Sequence, residues 1–396
     1  MAVTIGTVTR GVKAPIIREG DNLPEIVIQA VLNCAEDQKF EIKDKDIIGV
    51  TEAIVARAQG NYATTDQIAA DVKEKFPTGE FGLIFPILSR NRFAICLKGI
   101  AKSAKKIYIQ MSYPSDEVGN HLITLEQLDE TNINPYTDVL NEQQFRDNFG
   151  YHEHVFTGVD YIKYYREIAE QSGAKVEFVF SNDPATMLKY TKNVLCADIH
   201  TRNRSKSILL RKGAENVFGL DEILNKSYNG SGYNAEYGLL GSNKATEDSI
   251  KLFPRDCADF VLEVQKLIKI NTGKNVEVLV YGDGAFKDPV GKIWELADPV
   301  VSPAYTKGLD GTPNELKLKY LADNDFANLK GEELKAAITD YISHKDKNLK
   351  GNMASQGTTP RRLTDLIGSL CDLTSGSGDK GTPIVYIQGY FDNYSS

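Results

Sequence analysis

The carboxylate with the most suggestive surroundings is Asp283, in the run KNVEVLVYGDGAFKDPVG over residues 274–291. Residues 276–281 are β-branched, aliphatic and aromatic, which predicts a strand. The strand stops at Gly282-Asp283-Gly284, where two glycines allow a sharp turn around one acid. Two readings compete. Asp283 closes its own Asx turn, or it sits at the carboxyl end of a buried strand, where α/β proteins place ligand and metal contacts.

A second chemical cluster follows the apolar run 193–197. Asp198, His200, Arg202 and Arg204 put a carboxylate, an imidazole and two guanidiniums within seven residues. At the end of a strand such a set suits an acidic substrate or a proton relay; it equally suits a polar loop covering the sheet edge. His152-Glu153-His154 lacks the i, i+4 spacing of a helical zinc motif and reads as surface histidines. Arg90 and Arg92, ahead of an apolar helical stripe, are candidate anion contacts or solvated helix-start residues.

These side chains need a scaffold, and the chain supplies one. Alternation over residues 3–9 predicts a first strand. Asn22 and Pro24 open a helix buried on Leu23, Ile26, Val27, Ala30, Val31 and Cys34. Residues 46–51 form a short apolar strand that runs into a helix ending at Gly60. Thr64 and Gln67 have the spacing of a capping box. Residues 81–86 read as a buried turn or strand, and strands at 107–109, 175–180 and 193–197, with a helix at 161–171, predict parallel pairing through a crossover. Further helices are expected over 257–268, 332–341 and 363–370, with Trp294 packed, and a final strand near 383–390.

Composition narrows the class. The chain has 396 residues, 41% apolar and 25% charged, with a net charge of −8, which argues against a dedicated nucleic-acid binder. No apolar run is long enough for a membrane span, and residues 1–15 show no signal-peptide core, so no membrane partner and a cytoplasmic location are expected. Five scattered cysteines (Cys34, Cys96, Cys196, Cys257 and Cys371) point to reduced, buried thiols.

Several of these motifs also recur in a known order. Pro15, Ile17, Gly20, Asp21 and Leu23 precede a helix; Asp46, Val50 and Thr51 close a strand; Ile54, Val55, Arg57, Ala58 and Gly60 follow. Ser242-Asn243 ends the run SGYNAEYGLLGSN over 231–243, and Leu252, Pro254 and Asp256 follow. Next come Asp283 and a closing glycine-lysine turn over 376–381, preceded by Thr358-Thr359-Pro360-Arg361-Arg362. In this order the chain resembles the coenzyme F420:L-glutamate (γ-glutamyl) ligases. The resemblance implies a mixed α/β fold: a two-domain ligase-like scaffold of residues 1–104 and 213–396, with an α/β module inserted over 105–212.

The activity it implies is amide formation, in which a carboxylate is phosphorylated and then attacked by an amino acid's amine. GTP (or ATP) would be co-substrate, with Mg²⁺ or Mn²⁺ bound by Asp283 and Asp288. Pro15, Ile17, Arg57 and Asn243 would contact the nucleotide; Asp198, His200 and Arg202, in the inserted module and read from their place at a strand end, are the candidate contacts for the small acidic acceptor. A homodimer is implied as well. Three positions depart from the family's pattern: Ala53 where a lysine is usual, Leu240 where a metal-binding aspartate is usual, and Gly284 where a hydroxyl residue is usual. They leave open a second class, a binding protein that kept the scaffold and lost the chemistry, and a third, a ligase for a non-flavin acceptor.

Overall fold

A computed structural model describes residues 5–286, 296–355, 361–376 and 378–395. In chain order the strands are β1 (Val8–Val12), β2 (Ile47–Thr51), β3 (Tyr62–Thr64) and β4 (Glu80–Ile84). Then come β5 (Lys106–Met111), β6 (Leu140–Asn141), β7 (Lys175–Phe180), β8 (Asn193–Cys196) and β9 (Asn216–Gly219). The last are β10 (Asn243–Lys244), β11 (Ser249–Lys251), β12 (Glu277–Tyr281), β13 (Ala304–Tyr305) and β14 (Ile384–Gln388).

They form three sheets. The first has the order β1-β14-β2-β12-β13, with β2 and β12 parallel to each other at its centre. Both faces of that pair are covered, which is why the strands read as continuous apolar runs without alternation. On one face Ile48, Val50, Val278 and Val280 meet Val27 and Val31 of helix Leu23–Gln38 and Val261, Val264 and Ile268 of helix Cys257–Thr272. On the other, Ile47, Leu279, Tyr281 and Val385 meet Ile367 and Cys371 of helix Leu363–Ser375. Gly49 permits that approach, because a Cβ there would lie 2.5 Å from the Cys371 sulfur.

The second sheet has the order β6-β7-β5-β4-β8-β9, parallel except for the short edge strand β6. Helices Thr65–Lys75, Phe93–Lys102 and Tyr161–Gln171 share one core with it through Ile68, Val72, Leu97, Ile100 and Tyr165. The capping box is present: Gln67 N–H donates to Thr64 Oγ1 at 3.2 Å, and Thr64 N–H donates to Gln67 Oε1 at 2.8 Å. This sheet starts before residue 105 and runs past residue 212. β4 sits between β5 and β8, and its two ladders bind it to the second sheet, although its sequence reads as a continuation of the N-terminal part. A third, small sheet has the order β10-β11-β3, and its Ala63 and Ile250 pack into the core of the second sheet, so the first sheet with its helices and the second with its own form two bodies.

Residues 5–7 precede β1, so the first strand begins later than the alternation predicts. Asp288, Trp294 and residues 358–360 lie outside the described residues. No helix among the described residues is long and apolar enough to cross a membrane.

Candidate functional site

The parallel register of β2 and β12 pairs Thr51 with Tyr281, so both chains leave the sheet along the same edge. One continues directly into Glu52, first residue of helix Glu52–Ala58; the other turns through Gly282 into Asp283. Two carboxylates thus stand at the carboxyl ends of two neighbouring parallel strands, the edge where open α/β sheets bind ligands.

Into this edge reaches Arg92, just ahead of helix Phe93–Lys102 in the other body. Its Nη2 donates to both oxygens of Asp283, at 2.8 and 2.7 Å, and its Nη1 donates to Asp298 Oδ1 at 2.6 Å. The three side chains are only 15%, 27% and 1% exposed, in the order Arg92, Asp283, Asp298. Asp298 also accepts the Asp283 N–H at 2.8 Å, and Asp372 accepts the Gly284 N–H at 2.9 Å. Gly282 makes this possible, since a Cβ there would lie 2.3 Å from Asp298 Oδ2. Deeper in, Lys251 donates to both oxygens of Glu52 at 2.8 Å.

The segment carrying Arg92 is held firmly. Ser89 Oγ accepts the Arg92 N–H at 3.1 Å, Ser89 N–H donates to the Tyr165 hydroxyl at 2.9 Å, and that hydroxyl donates to Ile87 O at 2.6 Å. Asp116 accepts Leu88 N–H at 2.8 Å.

Four carboxylates (Glu52, Asp283, Asp298, Asp372) face two cations, Arg92 and Lys251. Burial pushes the Asp283 carboxyl up to about 7, the charge of Asp298 adds to the rise, and Arg92 offsets part of it. Burial also raises Glu52 and Asp372. For Arg92, burial opposes the charge, but Asp298 and Asp283 outweigh it and hold the guanidinium protonated.

Asp283 and Arg92 line an open crevice of about 700 Å³ together with Arg90, Asn91, Lys244, Asn120, His154, Tyr161 and Tyr164. Asn243 lies beside a lining residue: Asn91 Nδ2 approaches Asn243 Oδ1 at 3.5 Å, and Lys244 N–H donates to Asn91 O at 2.6 Å. Asn243 and Asp283, far apart in sequence, therefore flank the same segment.

The other residues singled out in the sequence lie elsewhere. Arg57 Nε donates to Ile17 O at 2.5 Å, which puts Arg57, Ile17 and Pro15 in one neighbourhood. Among the described residues no hydrogen bond or ion pair joins that group to Asp283. Asp198 is buried and accepts from Thr201 Oγ1 at 2.6 Å and Ser205 Oγ at 2.7 Å, tying β8 to the start of helix Arg202–Arg211; burial lifts it to about 6. Arg202 pairs with Asp221 at 3.1 Å. Glu117 accepts the backbone N–H groups of Ile199, His200 and Thr201. His200 hydrogen-bonds through Nε2 to Leu296 O at 2.8 Å, two residues before Asp298. The loop after β8 thus meets the segment that carries Asp298 through its histidine, while Asp198 and Arg202 are engaged in internal contacts. His154 is buried against Asn120 and Thr157 instead of lying on the surface, and burial lowers its pKa.

Sequence reasoning missed Asp298, Glu52 and Lys251. Asp298 is in no motif and its strand-end environment exists only in three dimensions. The signal for Glu52 was available: like Asp283, it stands at the end of an apolar strand.

The resemblance implies a divalent cation at Asp283. Asp288 lies outside the described residues. Among those described, no three His, Cys, Asp or Glu side chains come together as an ion would need, and both Asp283 oxygens accept from Arg92. The described donor set does not fit a divalent ion in this arrangement.

Fold and crevice together define an α/β protein with an acid–guanidinium site at the carboxyl ends of two central parallel strands. The family described as F420-0:Gamma-glutamyl ligase matches residues 11–389, and the chain belongs to that family. Comparison with curated proteins gives no significant match.

Proposed function

We propose that the chain joins a small acidic acceptor to an amino acid in a nucleotide-driven ligation, with the acceptor not restricted to the deazaflavin. The observation that carries this reading is the crevice in which Asp283 and Arg92 are flanked by Arg90, Asn91 and Lys244. Cationic and amide side chains suit phosphate and carboxylate groups, and the acid beside them suits proton transfer.

In the reaction, the acceptor carboxylate oxygen attacks the terminal phosphorus of GTP or ATP, forming an acyl phosphate and releasing the nucleoside diphosphate. The amine nitrogen then attacks the acyl carbon and inorganic phosphate leaves. Arg90 and Lys244 offset the anionic charge, Asn243 orients the nucleotide, and Asp283 takes the proton lost by the amine. An acid held at about 7 is well matched to that task near neutral pH. Mg²⁺ or Mn²⁺ would enter bound to the nucleotide, where it would offset phosphate charge. Arg57 with Pro15 and Ile17 marks a second stretch for the nucleotide, and a homodimer completes the proposal.

Thermal shift with GTP, ATP, GDP and ADP, each with Mg²⁺ or Mn²⁺, is the test. A bound nucleotide at about one hundred times its Kd adds roughly 2.7 kcal/mol to the native state, a readily measured rise in Tm. Absence of any shift at millimolar ligand would overturn the reading. A second reading, a ligand-binding protein without ligase chemistry, draws on the engagement of both Asp283 oxygens by Arg92. It expects nucleotide binding without phosphate release when acid and amine are supplied.

A further inference from the structure

We propose that the Arg92 guanidinium is the resident cation of this site, and that Asp283 therefore binds no free divalent ion. The two aspartates closest to the strand ends direct three carboxylate oxygens at one guanidinium, at 2.6, 2.7 and 2.8 Å. A planar guanidinium presents a fixed fork of donors that matches such an arrangement, and its charge cannot be removed by protonation chemistry near neutral pH.

Among the described residues, two neighbouring positions supply no oxygen ligand of the kind a hard cation needs. Gly284 carries no side chain, and a Cβ there would lie 3.0 Å from Asp372 Oδ2 and 3.1 Å from the backbone of Ser369. Leu240 is buried in a small apolar hollow that it shares with Phe93, Leu239 and Arg92. A charged ligand from that side would have to leave an apolar core. The positive charge arrives on a segment of the second body that is pinned by Tyr165 and Asp116. The body carrying β4 and β5 thus supplies as protein what the strand ends would otherwise draw from solution. Mg²⁺ bound to an incoming nucleotide is a separate matter, because it would travel with the phosphates.

The test is Mn²⁺ binding to the full chain without nucleotide, followed by the electron paramagnetic resonance of free Mn²⁺. The wild type and Asp283→Asn should bind with affinities that agree within threefold. Arg92→Gln, checked for folding by its melting transition, should gain at least tenfold in affinity, and the double variant Arg92→Gln/Asp283→Asn should lose that gain. Tight Mn²⁺ binding by the wild type that Asp283→Asn weakens tenfold would overturn the proposal, as would a folded Arg92→Gln that gains nothing. If Arg92→Gln does not fold, the comparison of wild type with Asp283→Asn decides alone. The experiment contains no nucleotide or acceptor, so a failure of the ligase reading leaves its outcome unaffected.

Discussion

At the scale of single residues, Asp283 and Asp298 hold the same guanidinium but carry different burdens. Asp298 is nearly inaccessible and holds both Arg92 and the Asp283 N–H. Removing it leaves a largely buried guanidinium short of a partner, so Asp298→Ala should cost about 3–5 kcal/mol in chemical denaturation. Asp248→Ala, which breaks the exposed pair with Lys98, should change little and serves as the control. Asp283 adds a pH signature. Its folded-state pKa, about 7, lies above the ordinary carboxylate value near 3.8, so the folded protein keeps a proton that the unfolded chain has released. That contribution is fully present below the lower value and is lost as pH rises through the upper one. Stability should fall between about pH 4 and about pH 7 in the wild type, and Asp283→Asn should flatten that decline. Denaturation midpoints across this window provide the check; an identical slope in the variant would remove Asp283 as the cause.

At the scale of elements, the site depends on how two strands end. β2 passes straight into a helix at Glu52, whereas β12 turns through a glycine that lets Asp298 approach its backbone. Gly282→Ala places a methyl group against the Asp298 carboxylate. The overpacking should cost about 1–3 kcal/mol and loosen the Arg92 pair. The variant should show both a lower denaturation midpoint and faster amide exchange at Asp283, whose N–H donates to Asp298. A normal midpoint with unchanged exchange would mean that the turn accommodates a side chain after all.

At the scale of the whole molecule, the crevice is lined both by Asp283, at the end of β12 in the first sheet, and by residues around the helices that pack on the second. Arg92 supplies one contact from the second body, and the hydrogen bond from His200 to Leu296 O is another. His200→Ala removes the second while leaving Arg92 in place. Hydrogen exchange should quicken in the segment from Leu296 to Asp298, with only a small change in global stability, because a single hydrogen bond contributes about 0.5–1.5 kcal/mol. Unchanged exchange there would make the contact incidental to the position of Asp298.

The sequence by itself determined the local elements and the family. Apolar periodicity marked helices along 23–34, 161–171 and 257–268, which the structure has as Leu23–Gln38, Tyr161–Gln171 and Cys257–Thr272, and the capping box at Thr64 depends on residues three apart. The strand before Asp283 was legible because a run buried on both faces must be apolar throughout. The motif order from Pro15 to the closing strand was legible because it lies along the chain. Partnership across the chain was not. Arg92 resembles any helix-start arginine until the fold brings it to Asp283 and Asp298, 191 and 206 residues away. Strand β4 reads as part of the N-terminal region, yet its ladders to β5 and β8 assign it to the second sheet. Burial, the distance between charges and the choice of ladder partner are properties of the assembled molecule. They decide that a carboxylate able to turn a loop or hold an ion is instead bound to a guanidinium.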